Sequence, residues 1–366
     1  MIKRIDFLIN SLRGGGAERV LVTLANKFIE KGYKVTVTVL NLDNAIFADD
    51  LDHRIELKSL NTKHARRSLI ALINNYKYSN INRLLVFNHQ LVILMLLVRK
   101  ILRRDFYIIA RNINNLSNKR DKEKSLWHKY IVFNIIKLFY KKVDYVICQS
   151  QGMAEDLQTN FNVPKKKISV INNPVSTKIK IRSNEGKDII KNDNKKILFI
   201  GKLTEQKGIF YLLEAFNQLI KGLDNKVYLN IVGEGPLRSQ IEEYISANNL
   251  TGHVFLKGFA DDVEQYYSNS DLVVLTSLYE GFPNVLIESL TFGIPVVSFD
   301  CPSGPKEIIQ NGVNGYLVEH LNVNKLVYYI KKALKEKWDK EIIKIGANKY
   351  SADSIATEYL TVLNNF

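Results

Sequence analysis

Short apolar runs recur along this chain, each followed by a stretch whose apolar residues return every three or four positions. That alternation is the strongest constraint on the fold. Strands joined by helical crossovers pair in parallel, and parallel strands are covered on both faces, so they read as nearly unbroken Val, Ile and Leu. In the first half the strands are expected at Ile5–Asn10, Lys34–Asn41, Arg83–Phe87, Tyr107–Ala110, Tyr145–Gln149 and Ile168–Ile171, with a helix over Ala17–Lys31. Asn172-Asn173-Pro174 breaks the rhythm, and a polar, charged stretch without a period follows. The pattern then restarts, with strands at Ile197–Ile200, Val227–Val232, Val254–Lys257, Leu272–Thr276 and Pro295–Phe299, and helices near Gly208–Lys221, Pro236–Asn248, Asn284–Phe292 and Asn324–Lys337. The expected fold class is α/β, built as two facing Rossmann-like domains with a ligand cleft between their strand ends. The expected boundaries are 1–174 for a first Rossmann-like domain, 175–194 for a linker, 195–350 for a second, and 351–366 for a helix returning to the first domain.

Composition narrows the class. The 366 residues suffice for two cores at roughly 100–200 residues each, and a 46% hydrophobic content excludes a disordered chain. Two cysteines, Cys148 and Cys301, give neither a disulfide framework nor a Cys-rich metal site, and read as buried small hydrophobes. Lys3 and Arg4 interrupt the first apolar run, so no secretory leader is expected. The longest apolar run, Leu91–Val98, stops at Arg99-Lys100, short of the ~20 residues of a membrane-spanning helix. The expected location is the cytoplasm, peripheral on the inner membrane face.

Charge is unevenly distributed. The net charge is +15, and residues 1–150 alone carry 27 basic and 12 acidic side chains, whereas residues 201–366 carry 15 and 20. A field confined to one half belongs to a partner rather than to the fold, the candidates being nucleic acid, an anionic membrane or a polyphosphate ligand. Residues 126–142 interleave aromatics and lysines around a broad apolar face, as an interfacial helix or a core-packing helix would. Arg99, Lys100, Arg103 and Arg104 add to the membrane reading.

Three turns carry chemistry. Gly14-Gly15-Gly16 joins the first strand to the first helix, where glycines let amides approach an anion at a helix N-terminus, although a plain tight turn has the same spelling. Gly201-Lys202-Leu203-Thr204-Glu205-Gln206-Lys207-Gly208 repeats the geometry with two lysines able to converge on phosphate, against the alternative of a solvated turn. Glu280-Gly281-Phe282-Pro283-Asn284 precedes a helix carrying Glu288, so two carboxylates flank a helix N-terminus suited to a diphosphate, each a bidentate acceptor for vicinal hydroxyls. The six histidines show no ligand spacing; His89, just after a strand, is the one candidate to face the cleft.

These motifs, with Gly233-Glu234-Gly235-Pro236-Leu237 and the segments Asp300–Ile309 and Asn311–Gly315, resemble the family-4 retaining glycosyltransferases of GT-B architecture, in particular those building bacterial surface polysaccharides and lipid-linked glycans. The resemblance spans nearly the whole chain and is looser between residues 42 and 165. It implies that Glu288 binds the ribose of a UDP-linked nucleotide-sugar and that Glu280 contacts the hydroxyls of the donor hexose. It implies further that backbone around Phe282, Pro283, Asn284 and Val285 holds the diphosphate, countered by Lys202 and Lys207, with Gly15 and Gly16 completing the donor site and Leu256–Phe259 near the base. Where the family has arginine this chain has Lys202, which keeps the charge and loses the fork. Where many relatives have histidine it reads Arg111-Asn112, so the implied catalytic set is Glu280, Lys207 and Asn112, with Arg111 as the alternative. The implied reaction retains anomeric configuration and uses no metal or other cofactor, transferring a hexose or N-acetylhexosamine to a lipid-diphosphate-linked saccharide. A sugar-nucleotide epimerase shares the fold without needing the basic half. A nucleic-acid protein would explain the charge but not Glu280 and Glu288, so no nucleic-acid partner is expected.

Overall fold

The computed structural model describes residues 3–112, 116–117, 133–176, 194–221, 227–260 and 262–366. The expected linker lies almost wholly outside these residues, as does the stretch 126–132. Two compact units form, Met1–Thr177 with Tyr350–Phe366, and Lys178–Lys349.

In the first unit the order is β1 (Arg4–Ile9), α1 (Gly16–Glu30), β2 (Lys34–Val39), β3 (Glu56–Ser59), α2 (Leu69–Tyr76), β4 (Arg83–Phe87), α3 (His89–Leu102), β5 (Tyr107–Arg111), α4 (Phe133–Tyr140), β6 (Tyr145–Cys148), α5 (Gln151–Phe161) and β7 (Ile168–Val170). The strands form one parallel sheet ordered β3-β2-β1-β4-β5-β6-β7. Strand order reverses direction between β1 and β4, and the chain exits of those strands mark the crevice where ligands bind in open α/β sheets. Helices cover both faces because both faces are apolar: Phe7 and Phe87 point into the α1 side with Phe28, while Leu84, Val86 and Ile108 face α3 and α4.

The second unit continues with β8 (Lys195–Ile200), α6 (Ile209–Ile220), β9 (Val227–Val232), α7 (Arg238–Ala247), β10 (Val254–Gly258), α8 (Glu264–Ser268), β11 (Leu272–Leu275), α9 (Asn284–Thr291), β12 (Val296–Phe299), α10 (Pro305–Ile308), β13 (Gly315–Val318), α11 (Val323–Lys335) and α12 (Lys340–Ala347). Its parallel sheet is ordered β10-β9-β8-β11-β12-β13, with the reversal between β8 and β11. Buried Ile197, Phe199, Leu229 and Ile231 pack against the apolar stripe of α6 formed by Leu212, Leu213, Phe216 and Leu219.

The last helix, α13 (Ala352–Leu363), belongs to the first unit, where Ile355, Ala356, Tyr359, Leu360 and Leu363 join the core around Phe7 and Phe28. No described helix is long and apolar enough to cross a membrane.

Candidate active site

The exits of β8 and β11, at the reversal point of the second sheet, are stitched together by backbone. Gly208 has φ +56°, and a Cβ there would stand 2.1 Å from the carbonyl oxygen of Thr276, so only glycine lets the Gly201–Gly208 loop press against the end of β11. Leu278 N–H donates to the Gln206 carbonyl at 2.8 Å, Gln206 Nε2 donates to the Tyr279 carbonyl at 3.0 Å, and Thr276 Oγ1 donates to the Lys207 carbonyl at 3.1 Å. The loop after β12 braces Glu280 from the other side: Glu280 N–H donates to Pro302 at 2.8 Å and Ser303 N–H returns a bond to the Glu280 carbonyl at 3.1 Å.

This scaffold brings Lys207 and Glu280 together. Lys207 Nζ lies 2.6 Å from Glu280 Oε1, and Ser277 Oγ donates to the same oxygen at 2.6 Å. Both bonds fall on Oε1; Oε2 receives none among the described residues, which leaves a carboxylate oxygen for an incoming hydroxyl. The Glu280 side chain is only 9% exposed, so its charge stands in a low-dielectric surround where removing the lysine partner is costly. Cys301 is buried beside it; burial foremost, then the Glu280 charge, push its thiol well above the usual range, so it stays neutral.

Glu288, about one turn into α9, is buried, and its Oε2 accepts from the hydroxyl of Tyr267 at 2.8 Å. Tyr267 is held by stacking on Phe292 at 5.3 Å between centroids. Phe282 and Pro283 are buried at the turn, and Asn284 and Val285 open the helix half-buried. Pro283 at the N-cap gives no capping side chain, and the first turn carries no acid. Lys202 is exposed and enters no ion pair among the described residues. Phe259, the last residue of the expected base-binding segment, is 54% exposed. Thus the second unit gathers Lys207, Glu280 and Ser277 in one cluster, with Glu288 on the adjoining helix α9 held by Tyr267 of α8. Ser277 and Tyr267 escaped sequence reading, because a serine in a turn and a tyrosine in an amphipathic helix carry no distinguishing local pattern.

The first unit holds the remaining expected residues differently. Asn112 is buried, its Oδ1 accepting from the Tyr140 hydroxyl and its carbonyl from Gln149 Nε2. Arg111 is fully buried over the Phe87 ring at 4.7 Å, with Nε donating to the Tyr359 hydroxyl at 2.9 Å and Nη2 to Asn173 Oδ1. The two residues belong to one interior network that ties α13 and the Asn172–Pro174 segment to the strand ends. Gly15 and Gly16 open α1, but Glu18 folds back over them: a Cβ on Gly15 would sit 2.4 Å from Glu18 Oε2. Burial raises the Glu18 carboxyl above its ordinary range, against the bonds it accepts from the amides of Glu18 and Gly15. The helix terminus offered to a ligand anion is thus held by the chain's own carboxylate.

Among the described residues no group of three or more His, Cys, Asp or Glu is placed to hold a metal ion. The Asp50-Leu51-Asp52 spelling lies between β2 and β3, where Asp52 pairs with Arg54 at 2.7 Å and its backbone amide is held by Asn26.

Known proteins match this chain in sequence and in fold. Residues 14–179 match the model described as Glycosyltransferase Family 4, and residues 181–350 match the one described as Glycosyl transferases group 1. The chain is 32% identical to an uncharacterized glycosyltransferase of Methanocaldococcus jannaschii over 61% of its own length and 55% of the relative's, so it spans little more than half of that protein. It is 28% identical, over 92% of its own length and 91% of the relative's, to the N-acetylgalactosamine-N,N'-diacetylbacillosaminyl-diphospho-undecaprenol 4-alpha-N-acetylgalactosaminyltransferase of Campylobacter jejuni. In fold it resembles Anabaena Alr3699/HepE in complex with UDP, with a TM-score of 0.81 at 18% identity over 99% of this chain and 100% of that one. Two parallel α/β units, matched one after the other by glycosyltransferase family models, place the chain among the GT-B glycosyltransferases, with a family-4 domain followed by a group-1 domain.

Proposed function

We propose that this protein is a retaining glycosyltransferase that moves a hexose or N-acetylhexosamine from a UDP-sugar to a lipid-diphosphate-linked saccharide. The observation that carries the reading is the Lys207–Glu280–Ser277 cluster at the reversal point of the second sheet, one loop away from a helix whose N-terminus has no capping side chain and whose interior bears Glu288. Glu288 takes the ribose hydroxyls, the α9 terminus takes the diphosphate, and Glu280 Oε2 takes donor-sugar hydroxyls. In the reaction the bond from the anomeric carbon to the diphosphate breaks and the acceptor oxygen bonds that carbon on the same face. The acceptor proton passes to the departing phosphate oxygen. Lys207, Lys202 and the helix terminus stabilise the negative charge that develops on the leaving group, which lets the transfer run without a metal. Relatives named for diphospho-undecaprenol acceptors, and a fold relative holding UDP, support both ends of the reaction.

Membrane contact at the cytoplasmic leaflet completes the proposal. Exposed Leu97 and Ile101 on α3, and Ile135 and Leu138 on the neighbouring α4, stand among exposed Lys100, Arg103, Lys137 and Lys141. Arg99 and Arg104 contribute less, since Arg99 pairs with Asp144 and Arg104 donates to the carbonyls of Tyr76 and Lys77. The test is a panel of nucleotide-sugars with radiolabelled transfer to a prenyl-diphosphate saccharide, run with and without EDTA. Transfer with retained configuration is expected in both, and Glu288→Ala is expected to lose UDP-sugar binding. Unchanged binding in that variant would overturn the donor-site assignment.

A further inference from the structure

We propose that a cavity at the strand exits of the first unit seats a phosphate or diphosphate group carried by the acceptor, a reading that rests on the glycosyl-transfer function above. The cavity has a volume of about 620 Å³ and is lined by the chain just after β1, the end of β2, the turn 63–67 before α2, and Gln90 at the start of α3. It lies beside the reversal point of the sheet, between β1 and β4, where an open α/β sheet binds its ligand.

Its lining is chemically one-sided. Arg13, Lys63, Arg66 and Arg67 face it together with His64, and no Asp or Glu lines it. Cations gathered around a concavity focus a positive field into it, which a bound anion relieves. Arg13 is fixed in place by Asn41 Oδ1 at 3.0 Å and the Asp43 carbonyl at 2.9 Å, and its charge is partly met by the Asp43 carboxylate at 3.5 Å. The side chains of Lys63 and Arg67 enter no ion pair among the described residues, so their charge is available to a ligand. In the same lining Asn10 Oδ1 is buried with no hydrogen-bond partner among the described residues. A carbonyl oxygen in that state calls for a donor, and a sugar hydroxyl is one. Basic groups and a waiting acceptor in one lining fit a saccharide phosphate, and the volume suits a ligand of that size. Part of the excess charge of residues 1–150 is thereby assigned to the acceptor's phosphate rather than to the membrane alone.

The full chain carrying Lys63→Ala, Arg66→Ala and Arg67→Ala is compared with the unsubstituted protein. Inorganic pyrophosphate is titrated in saturating UDP, so that the donor site is filled. The triple variant is expected to bind pyrophosphate at least about tenfold more weakly, the scale of lost charge-assisted contacts, with UDP affinity unchanged. Lys34→Ala, Arg54→Ala and Lys77→Ala remove the same charge outside the cavity and are expected to leave pyrophosphate binding as it was. Equal weakening in both triples, or none in the first, overturns the proposal. A second arm separates a free anion from an acceptor-borne one. KM for a prenyl-diphosphate saccharide is expected to rise at least about tenfold in the cavity triple, against no rise for the same saccharide on an uncharged alkyl chain. A rise shared by both acceptors, or by neither, overturns the assignment to the acceptor's phosphate. Failure of the unsubstituted protein to bind UDP overturns the transferase reading, and pyrophosphate binding then still reports separately on the cavity.

Discussion

The helices α1 and α9 each open at the exit of a strand bordering the reversal point of their sheet, yet their positive ends are treated in opposite ways. Three positions into α1 stands Glu18, whose carboxylate curls back over Gly15 and accepts from the backbone there. The equivalent position in α9 is Leu286, which is fully buried in the core, and the N-cap is Pro283 with no capping bond from its side chain. One residue per helix thus separates a terminus over which the chain's own carboxylate folds from one whose first turn carries no acid and whose N-cap side chain makes no capping bond. A glycine-rich turn before a helix is therefore insufficient to define an anion site; the third helical residue has to be consulted too.

The largest test of this contrast removes the cation beside the α9 turn. Lys207→Ala leaves Glu280 buried without its partner, at a cost of about 3 kcal/mol on the scale for breaking buried pairs, visible as lowered thermal stability and a loss of at least about a hundredfold in kcat/KM. Lys207→Arg restoring neither would show that the site needs more than charge. Next, Asn284→Asp places an acid in the first turn of α9, imitating α1. It is expected to weaken UDP binding about tenfold while stabilising the helix by about 0.3–1 kcal/mol, measured by titration and by denaturant unfolding. Unchanged UDP affinity would break the claim that this terminus receives the diphosphate. Gly15→Ala pushes Glu18 off α1 and is expected to cost about 1 kcal/mol of unfolding free energy, the worth of a helix cap, with UDP affinity untouched.

The smallest effect is a pH dependence. The Glu18 carboxyl is raised by burial, so its favourable contribution is complete below the ordinary glutamate value of 4.5 and is lost as pH rises through the raised value in the fold. Glu18→Gln stays neutral throughout. The unsubstituted protein is therefore expected to lose stability relative to Glu18→Gln as pH rises from 4 toward neutrality, measured by urea unfolding at a series of pH values. Asp6, also raised by its burial, is common to both proteins and cancels in the difference. Parallel profiles would show that Glu18 is not desolvated in solution.

Most of the architecture was legible in the residues themselves. The spacing predicts strands at Ile5–Asn10, Lys34–Asn41 and Val227–Val232, and the structure has them at Arg4–Ile9, Lys34–Val39 and Val227–Val232. Strands buried on both faces announce themselves as apolar runs. The edge strands β3, reading Glu-Leu-Lys-Ser, and β13, reading Gly-Tyr-Leu-Val, did not, because a short strand at an edge needs few apolar residues. The Glu280 and Glu288 pair was legible too, since its spacing lies within one turn and one helix. The partners were not: Ser277 and Tyr267 look ordinary in sequence, and Lys207 meets Glu280 from 73 residues away. Arg111 is the sharpest case. An arginine following an apolar strand reads as exposed or functional, and here it is enclosed by Phe87, Tyr359 and Asn173 from three distant segments.

Periodicity and turn chemistry are local, because burial of a strand or a helix face is written in neighbouring residues. They settle the alternation of elements, the two α/β units and the family motifs. Which charges face one another is settled by the order in which strands enter each sheet and by the loops that close over their ends. Those contacts gave Lys207 to Glu280, Tyr267 to Glu288, the α1 terminus to Glu18, and the basic turn 63–67 to a cavity it shares with Asn10. Long-range pairing of charges depends on desolvation and on loop geometry, and neither leaves a period in the chain.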